Sequence, residues 1–454
     1  MPKRADQGAL AAEIHRRLLS GPLGAVDLYR PLGISQSTFS RTLARHGAQV
    51  LAAGRASNTR YALRRRIPGM EPPIAAFEID EAGKTARFGE FHAVHPRGFY
   101  FQSAAEDRRP SRFFADLPYF LDDLRPGGFL GRLIPKRHPE LELPRDVRAW
   151  TSDDCLRYLT RYGTDLIGNL ILGDEAFRRH LDEGREAPAA IALDARRSEY
   201  PKRAQAVLEY GDPGSSAGGE QPKFSAIVGP GRLRVLVKFS PKPTNDVARR
   251  RADLLLCEHL ALAAMARAGR LAAKSEVLLG GGQVFLQVER FDRVPPRGRR
   301  GLISLLALDA ELVGRGGSWG AMAERLLLEG RIDRATRDQI RWRELFGHLI
   351  GNTDMHQANL SFYFQEPAII GLAPAYDMLP MLYAPQNEQL IERVFDPPSP
   401  SPQDAGAWEG ACGAAAEFWE AVAADARVSP GFRSLARDNG RRVRSLSRLK
   451  ELLP

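Results

Sequence analysis

The stretch Leu349-Ile-Gly-Asn-Thr-Asp354-Met-His-Gln-Ala-Asn359-Leu-Ser361, with Ala375-Tyr-Asp377-Met-Leu-Pro380 close behind it, decides how the chain reads. An aspartate, an asparagine five residues on and a second aspartate beyond a short hairpin are the groups that phosphoryl transfer from a magnesium nucleotide requires. Asp354 would accept the proton of a substrate hydroxyl. Asn359 and Asp377 would offer hard oxygen donors to magnesium ions bridging the phosphates. His356 stands between them and reads as a brace of the loop rather than as a base. A polar turn without chemistry is the alternative for so short a stretch, so the reading depends on what else the chain supplies.

Upstream, Arg234-Val-Leu-Val-Lys238-Phe is a buried-strand pattern with one lysine inside it. An ammonium there is costly unless it meets an anion. A nucleotide phosphate would serve, and so would Glu258, carried by a helix expected over 246–269; an exposed edge strand is the alternative. Earlier still, Gly211-Asp-Pro-Gly-Ser-Ser-Ala-Gly-Gly-Glu-Gln-Pro-Lys223 leads into a strand over 224–228. Its glycines, Gly218 and Gly219 among them, let backbone N–H groups approach phosphate oxygens without Cβ interference, with Gln221 and Lys223 at the end of the loop. It is not a Walker loop, because Lys223 follows a proline and a strand comes next. The strand over 283–290 runs into Arg290-Phe-Asp-Arg293, which places Glu289 and Phe291 at a hinge where an adenine would sit. Glycine loop, lysine strand and acidic stations thus stand in kinase order.

At this point Gly219-Glu-Gln-Pro-Lys223, Val237-Lys238-Phe, Glu289-Arg-Phe-Asp-Arg293, Gly351-Asn-Thr-Asp-Met-His-Gln-Ala-Asn359 and Ala373-Pro-Ala-Tyr-Asp377 resemble the HipA-like toxin kinases of bacterial toxin–antitoxin systems, over about residues 74–395. With its basic front end the whole chain is similar to the stand-alone members of the YjjJ (HipH) type. The resemblance implies an atypical two-lobed Ser/Thr protein kinase using ATP and Mg²⁺. It makes Lys238 the phosphate-binding lysine, Asp354 the catalytic aspartate, and Asn359 and Asp377 the metal ligands. It also puts Ser216 at the family's autophosphorylated loop serine, with Ser215 beside it. A phosphoserine there switches the family's kinases off, as a negative charge would eject a loop that must cradle phosphates. Aminoacyl-tRNA synthetases are the family's known substrates, so a protein substrate is implied without being specified. One departure is Ala358, where the family commonly carries a lysine.

The chain has 454 residues, 65 Lys+Arg against 55 Asp+Glu, and a net charge of +10. Residues 1–66 hold twelve of the bases and three of the acids, an excess of nine, so the remaining body is nearly neutral. That distribution excludes a uniformly basic coat for nucleic acid and marks out a small basic module. Residues 9–65 are expected to form three helices and a hairpin. Leu10, Ile14 and Leu18 recur at helical spacing, Ser20-Gly21-Pro22 stops that helix, a second over 25–32 ends at Gly33, and Ser35 caps a third that runs to Gly47. The third helix presents Gln36, Ser37, Thr38, Arg41 and Arg45 to a major groove, while Arg55 and Arg60 belong to the wing of a winged helix-turn-helix. A winged helix used for protein contacts is the bland alternative. DNA is therefore the expected partner of residues 1–66, and because such modules often pair, a homodimer stays open.

The expected fold is α+β: the winged helix-turn-helix (1–66), a small β-rich subdomain opened by a Pro-rich linker at 67–73 (67–145), a kinase N-lobe (146–296) and a helical C-lobe with the catalytic and metal-binding motifs (297–454). Prolines and glycines over 110–144 predict irregular packing. With 43% hydrophobic and 26% charged residues the composition is that of an ordinary globular protein. Three widely spaced cysteines exclude a disulfide framework and a zinc cluster. No run is apolar enough for a signal peptide or a membrane span, and a cytoplasmic location is expected. Two other functions stay open: a DNA-bound regulator whose kinase-like body only senses nucleotide, and a metal-dependent toxin acting on DNA itself.

Overall fold

The computed structural model describes residues 7–54, 58–185, 189–210, 221–312, 314 and 316–447. At the front, helices Gln7–Leu18, Ala25–Tyr29 and Gln36–His46 enclose Ile14, Leu18, Leu28 and Phe39. Strands Leu23–Gly24, Val50–Ala53 and Arg60–Leu63 form an antiparallel sheet with the last strand in the centre. Local chemistry sets these boundaries. Ser35 accepts the Thr38 N–H at 3.2 Å and so starts the third helix, and Gly33 ends the preceding turn in the left-handed region at φ 62°.

The segment over 67–73 does not act as a free tether. Leu51, Ala53 and Ala62 of the front sheet share a core with Val94 and Tyr100 of the next unit. The Arg65 N–H donates to Ala93 O at 2.8 Å, the His95 N–H donates to Leu63 O at 2.9 Å, and the Arg65 guanidinium pairs with Asp153. The apolar outer face of the front strands forces this, since a mobile tether would leave it in water.

The second unit is a five-stranded antiparallel sheet in the order Arg112–Phe114, Phe99–Ser103, Thr85–Ala93, Ile74–Ile79 and Leu170–Leu172. Phe88, Phe91 and Phe101 from the sheet close on Phe120. Its last strand lies well beyond residue 145 in the chain, so this sheet closes with a piece of sequence from past the small β-rich stretch. The 110–144 stretch is more regular than its prolines suggest, with a 3₁₀ turn at Tyr119–Leu124 and a helix at Gly128–Arg137. Burial of Leu133 and Ile134 stabilises that helix against Pro135 in its final turn, which cannot donate a hydrogen bond back to residue 131.

Beyond it, strands Ser275–Gly280, Gln283–Glu289, Leu233–Phe239 and Lys223–Val228 make a four-stranded antiparallel sheet in that order. Helix Asp246–Arg267 packs across it, begun by Asn245, whose side chain accepts the Ala248 N–H at 2.8 Å. The rest of the body is mainly helical, with Trp319, Trp342, Trp408 and Trp419 fully buried among helices Trp319–Leu328, Arg334–Leu349, Ala405–Ala424 and Pro430–Ser447. Among the described residues no helix is long and apolar enough to cross a membrane.

Candidate active site

In strand Leu233–Phe239, Val235, Val237 and Phe239 turn into one apolar cluster, and by the twofold alternation of a strand Lys238 faces the opposite way. There it meets helix Asp246–Arg267. Lys238 Nζ donates to both oxygens of Glu258, at 2.7 and 2.8 Å, and also to Asp377. Lys238 is 5% exposed and Glu258 only 1%. Lys223 stands directly opposite Lys238 in the antiparallel register, so both lysines project from the same face of the sheet. Burial would push the Lys238 ammonium down, but the Asp377 and Glu258 carboxylates outweigh it and hold it above its usual value. Burial raises Glu258 despite Lys238, whereas at Asp377 the effect of burial is overcome by Lys238 and Lys223, and that carboxyl is held below its usual range.

The second half of the site hangs from helix Arg334–Leu349. Gly347 on this helix lets the following loop lie flat on it, as a Cβ there would collide with Met355 Sδ. Gly351, at φ 76°, turns the chain sharply. Asn352 is then buried, and it bridges the two acidic stations. Its Oδ1 accepts the Asp354 N–H at 3.0 Å, while its Nδ2 donates to Asp377 O at 3.4 Å. Asn359 Nδ2 donates to Asp354 O at 2.8 Å, which leaves the Asn359 side-chain oxygen as the atom it can offer to a cation. The Asp354 carboxylate is half exposed, open to an incoming hydroxyl, and His356 Nε2 lies 3.7 Å from it. The His356 carbonyl accepts the Trp319 indole N–H at 3.1 Å, consistent with a bracing position for this residue. Asp377 adopts φ 53°, a backbone strain of the kind that persists only where the surroundings over-determine it. Tyr376 supplies part of that constraint: its hydroxyl donates to Ala358 O at 2.8 Å and contacts Ser361 Oγ at 2.7 Å.

The structure therefore brings together Lys223, Lys238, Glu258, Asp354, His356, Asn359 and Asp377. Two hard oxygen donors, Asn359 and Asp377, beside two lysines suit a magnesium ion that takes the rest of its shell from phosphates and water. Glu289 ends its strand and Phe291 follows, its ring 5.8 Å from that of Tyr376, so the hinge touches the segment that carries Asp377. Gln221 donates to Phe239 O beside the lysine strand. Gly218, Gly219, Ser215 and Ser216 lie outside the described residues, as does Arg55. On the front module Gln36, Ser37, Arg41 and Arg45 are exposed along helix Gln36–His46. Ser37 and Thr38 also contact the capping Ser35 hydroxyl, at 2.9 and 3.0 Å, and Arg60 is turned back onto Pro22 O at 2.8 Å. Asn352 and Tyr376 also belong to the site, within motifs that do not mark them by residue type alone. Their signal, a polar side chain flanked by glycine and an aromatic before an aspartate, acquires meaning only once the two loops are known to touch.

Comparison with known proteins identifies relatives of the whole chain. A family model described as the middle domain of YjjJ-like toxins matches residues 70–181, and one described as the HipA-like C-terminal domain matches residues 215–429. The chain is 37% identical to Toxin YjjJ of Escherichia coli (strain K12) over 444 residues, 96% of this chain and 98% of that one. Among solved structures it is similar in fold to HipA of Shewanella oneidensis MR-1, determined in complex with HipB and its operator DNA, with a TM-score of 0.53, 16% identity, and coverage of 82% of this chain and 96% of that chain.

Proposed function

The chain belongs to the family of YjjJ-like toxins with a HipA-like C-terminal domain, and on that footing we propose that it is a serine/threonine protein kinase that uses Mg-ATP. The observation that carries the proposal is the buried Lys238–Glu258 pair reaching Asp377, with Asp354 and Asn359 on the adjoining loop. Lys238, held in place by Glu258, neutralises the nucleotide phosphates. Asn359 and Asp377 would hold the magnesium, which when bound offsets the charge developing on the transferred phosphoryl group. Asp354 takes the proton from the acceptor hydroxyl, for which its half-exposed carboxylate is suitably open. Glu289 and Phe291 form the adenine side of the cleft, and Ser216 or Ser215 is the autophosphorylated position.

Residues 1–66 supply a DNA-binding winged helix, with Gln36 and Ser37 towards base edges and Arg41 and Arg45 towards phosphates. The HipA neighbour is crystallised with a separate HipB and operator DNA, whereas here a basic module is part of the same chain. We place the protein in the cytoplasm, acting on another protein. The test is mass spectrometry after incubation with Mg-ATP. Phosphate should appear on a serine of the chain or on an added protein substrate, and it should vanish in Asp354→Ala; undiminished incorporation by the purified variant would sink the proposal. ATP binding without any transfer by the wild type would favour the nucleotide-sensing regulator instead.

A further inference from the structure

The hinge residues Glu289 and Phe291 alternate with Arg290 and Asp292, and the latter two are turned away from the cleft into a buried charge cluster. Arg290 donates to Asp165 Oδ1 at 2.8 Å, to Leu166 O at 2.9 Å and to Asp292 Oδ2 at 2.8 Å. Arg293 donates to Gly168 O at 2.8 Å, to Asp292 Oδ2 at 2.6 Å and to Asp165 Oδ1 at 3.2 Å. Arg299 reaches Thr164 O at 2.6 Å, and the Gly168 N–H donates to Asp292 Oδ2 at 3.0 Å. Arg234 completes the ring 3.8 Å from Asp165. On the far side the partners of Arg290, Arg293 and Asp292 belong to residues 164–168, the loop between helix Ser152–Tyr162 and strand Leu170–Leu172, and Arg299 also touches His180 Nδ1 at 3.3 Å on the helix that follows. That loop falls inside the stretch matched by the middle-domain family model and outside the one matched by the HipA-like C-terminal model.

The charges in this cluster do not balance. Among the described residues four guanidiniums, from Arg234, Arg290, Arg293 and Arg299, face two carboxylates, and Arg293 Nε and Arg299 Nη1 are buried without a partner. Asp165 touches three of the four arginines within ion-pair distance. Without it, Asp292 alone would oppose all four, and like-charge repulsion would act on the backbone of 289–293.

We infer that Asp165 is a positioning residue for the nucleotide hinge, through which the middle domain sets how well the kinase body holds ATP. The inference rests on the reading of the cleft as an ATP site, and it extends that reading to the middle domain. Loop 164–168 fixes Arg290, Asp292 and Arg293 from behind, and their fixed positions hold Glu289 and Phe291 in front.

The test uses the full-length protein, the near-isosteric Asp165→Asn, and titration with N-methylanthraniloyl-ATP in the presence of Mg²⁺, alongside hydrogen exchange. Coupling between sites commonly spans about 5–150-fold, and about tenfold weaker binding is expected here, with phosphate transfer at saturating ATP changed less than about twofold. Amides of 289–293 should exchange faster in the variant. Adding Arg234→Gln, which removes one surplus charge from the rim, should recover part of the affinity, an outcome that general misfolding would not give. Unchanged affinity and unchanged exchange in Asp165→Asn, with a wild type that binds the nucleotide, would overturn the inference while leaving the kinase reading intact. A wild type that does not bind the nucleotide at all would overturn the reading on which the inference rests, even if exchange at 289–293 responded.

Discussion

Replacing Lys238 by methionine tests the charge arrangement at the centre of the site independently of any activity. The variant keeps the length of the side chain but deletes the cation that both Glu258 oxygens accept from, at 2.7 and 2.8 Å. Glu258 is 1% exposed, so it would be left as an unpaired buried carboxylate. Removing one partner of a buried ion pair costs about 3–5 kcal/mol. The lower end, about 3 kcal/mol, is expected because Asp377 is partly exposed and retains the influence of Lys223. The loss should depend on pH in a definite direction. Burial already raises Glu258 with Lys238 present, and without the lysine it must rise further. A carboxyl whose folded pKa exceeds its unfolded one binds more protons when folded, so stability is lost as pH rises through the folded value and regained as pH falls towards the ordinary carboxylate range. The recovery is at most about 1.4 kcal/mol per pH unit. Urea unfolding followed by tryptophan fluorescence is the assay, since four of the five tryptophans lie in the helical body. A deficit of about 3 kcal/mol at pH 8 should shrink to within about 1 kcal/mol at pH 5.5, and Lys238→Met/Glu258→Met should regain most of it at pH 8 while remaining unable to transfer phosphate. A deficit below about 1 kcal/mol at pH 8, or one that does not change with pH, would refute the reasoning.

Asn352→Ala should lower phosphate transfer by tenfold or more and stability by about 1–3 kcal/mol, because it leaves the Asp354 N–H and Asp377 O without their shared partner; activity and unfolding measurements on the same preparation check both. Arg41→Ala should weaken DNA binding roughly evenly across sequences and reduce the salt dependence of log K by about one unit of slope, which fluorescence anisotropy across a salt series would measure.

What could be read from the chain alone was chemistry bound to short spacings. Lys238 inside an apolar strand, Glu258 on the next helix and the Asp354-to-Asn359 interval each imply their role within a few turns of sequence, and the structure places all of them in one cluster. The front module was legible for the same reason, since Ser35 and Gly33 are local signals. What escaped depended on topology. Leu170–Leu172 joins a sheet that begins at residue 74, because hydrogen bonding to strand Ile74–Ile79 is not encoded by any pattern within either segment. The Asp165 cluster joins residues more than 120 positions apart, and in the sequence Arg290 and Arg293 only flank the hinge residues, with no signal that pairs them with Asp165. The 67–73 segment has the composition of a linker, but the apolar faces on either side of it determine what it does.

The joint between the front sheet and the five-stranded sheet has a geometric consequence. With Leu51, Ala53 and Ala62 sharing a core with Val94 and Tyr100, and Arg65 pinned to Asp153, helix Gln36–His46 holds a set angle to the unit whose loop grips the hinge. A duplex seated on that helix would therefore lie at one bearing from Asp354. On the proposed reading the module would act as a bracket that holds the kinase-like body at one angle to bound DNA.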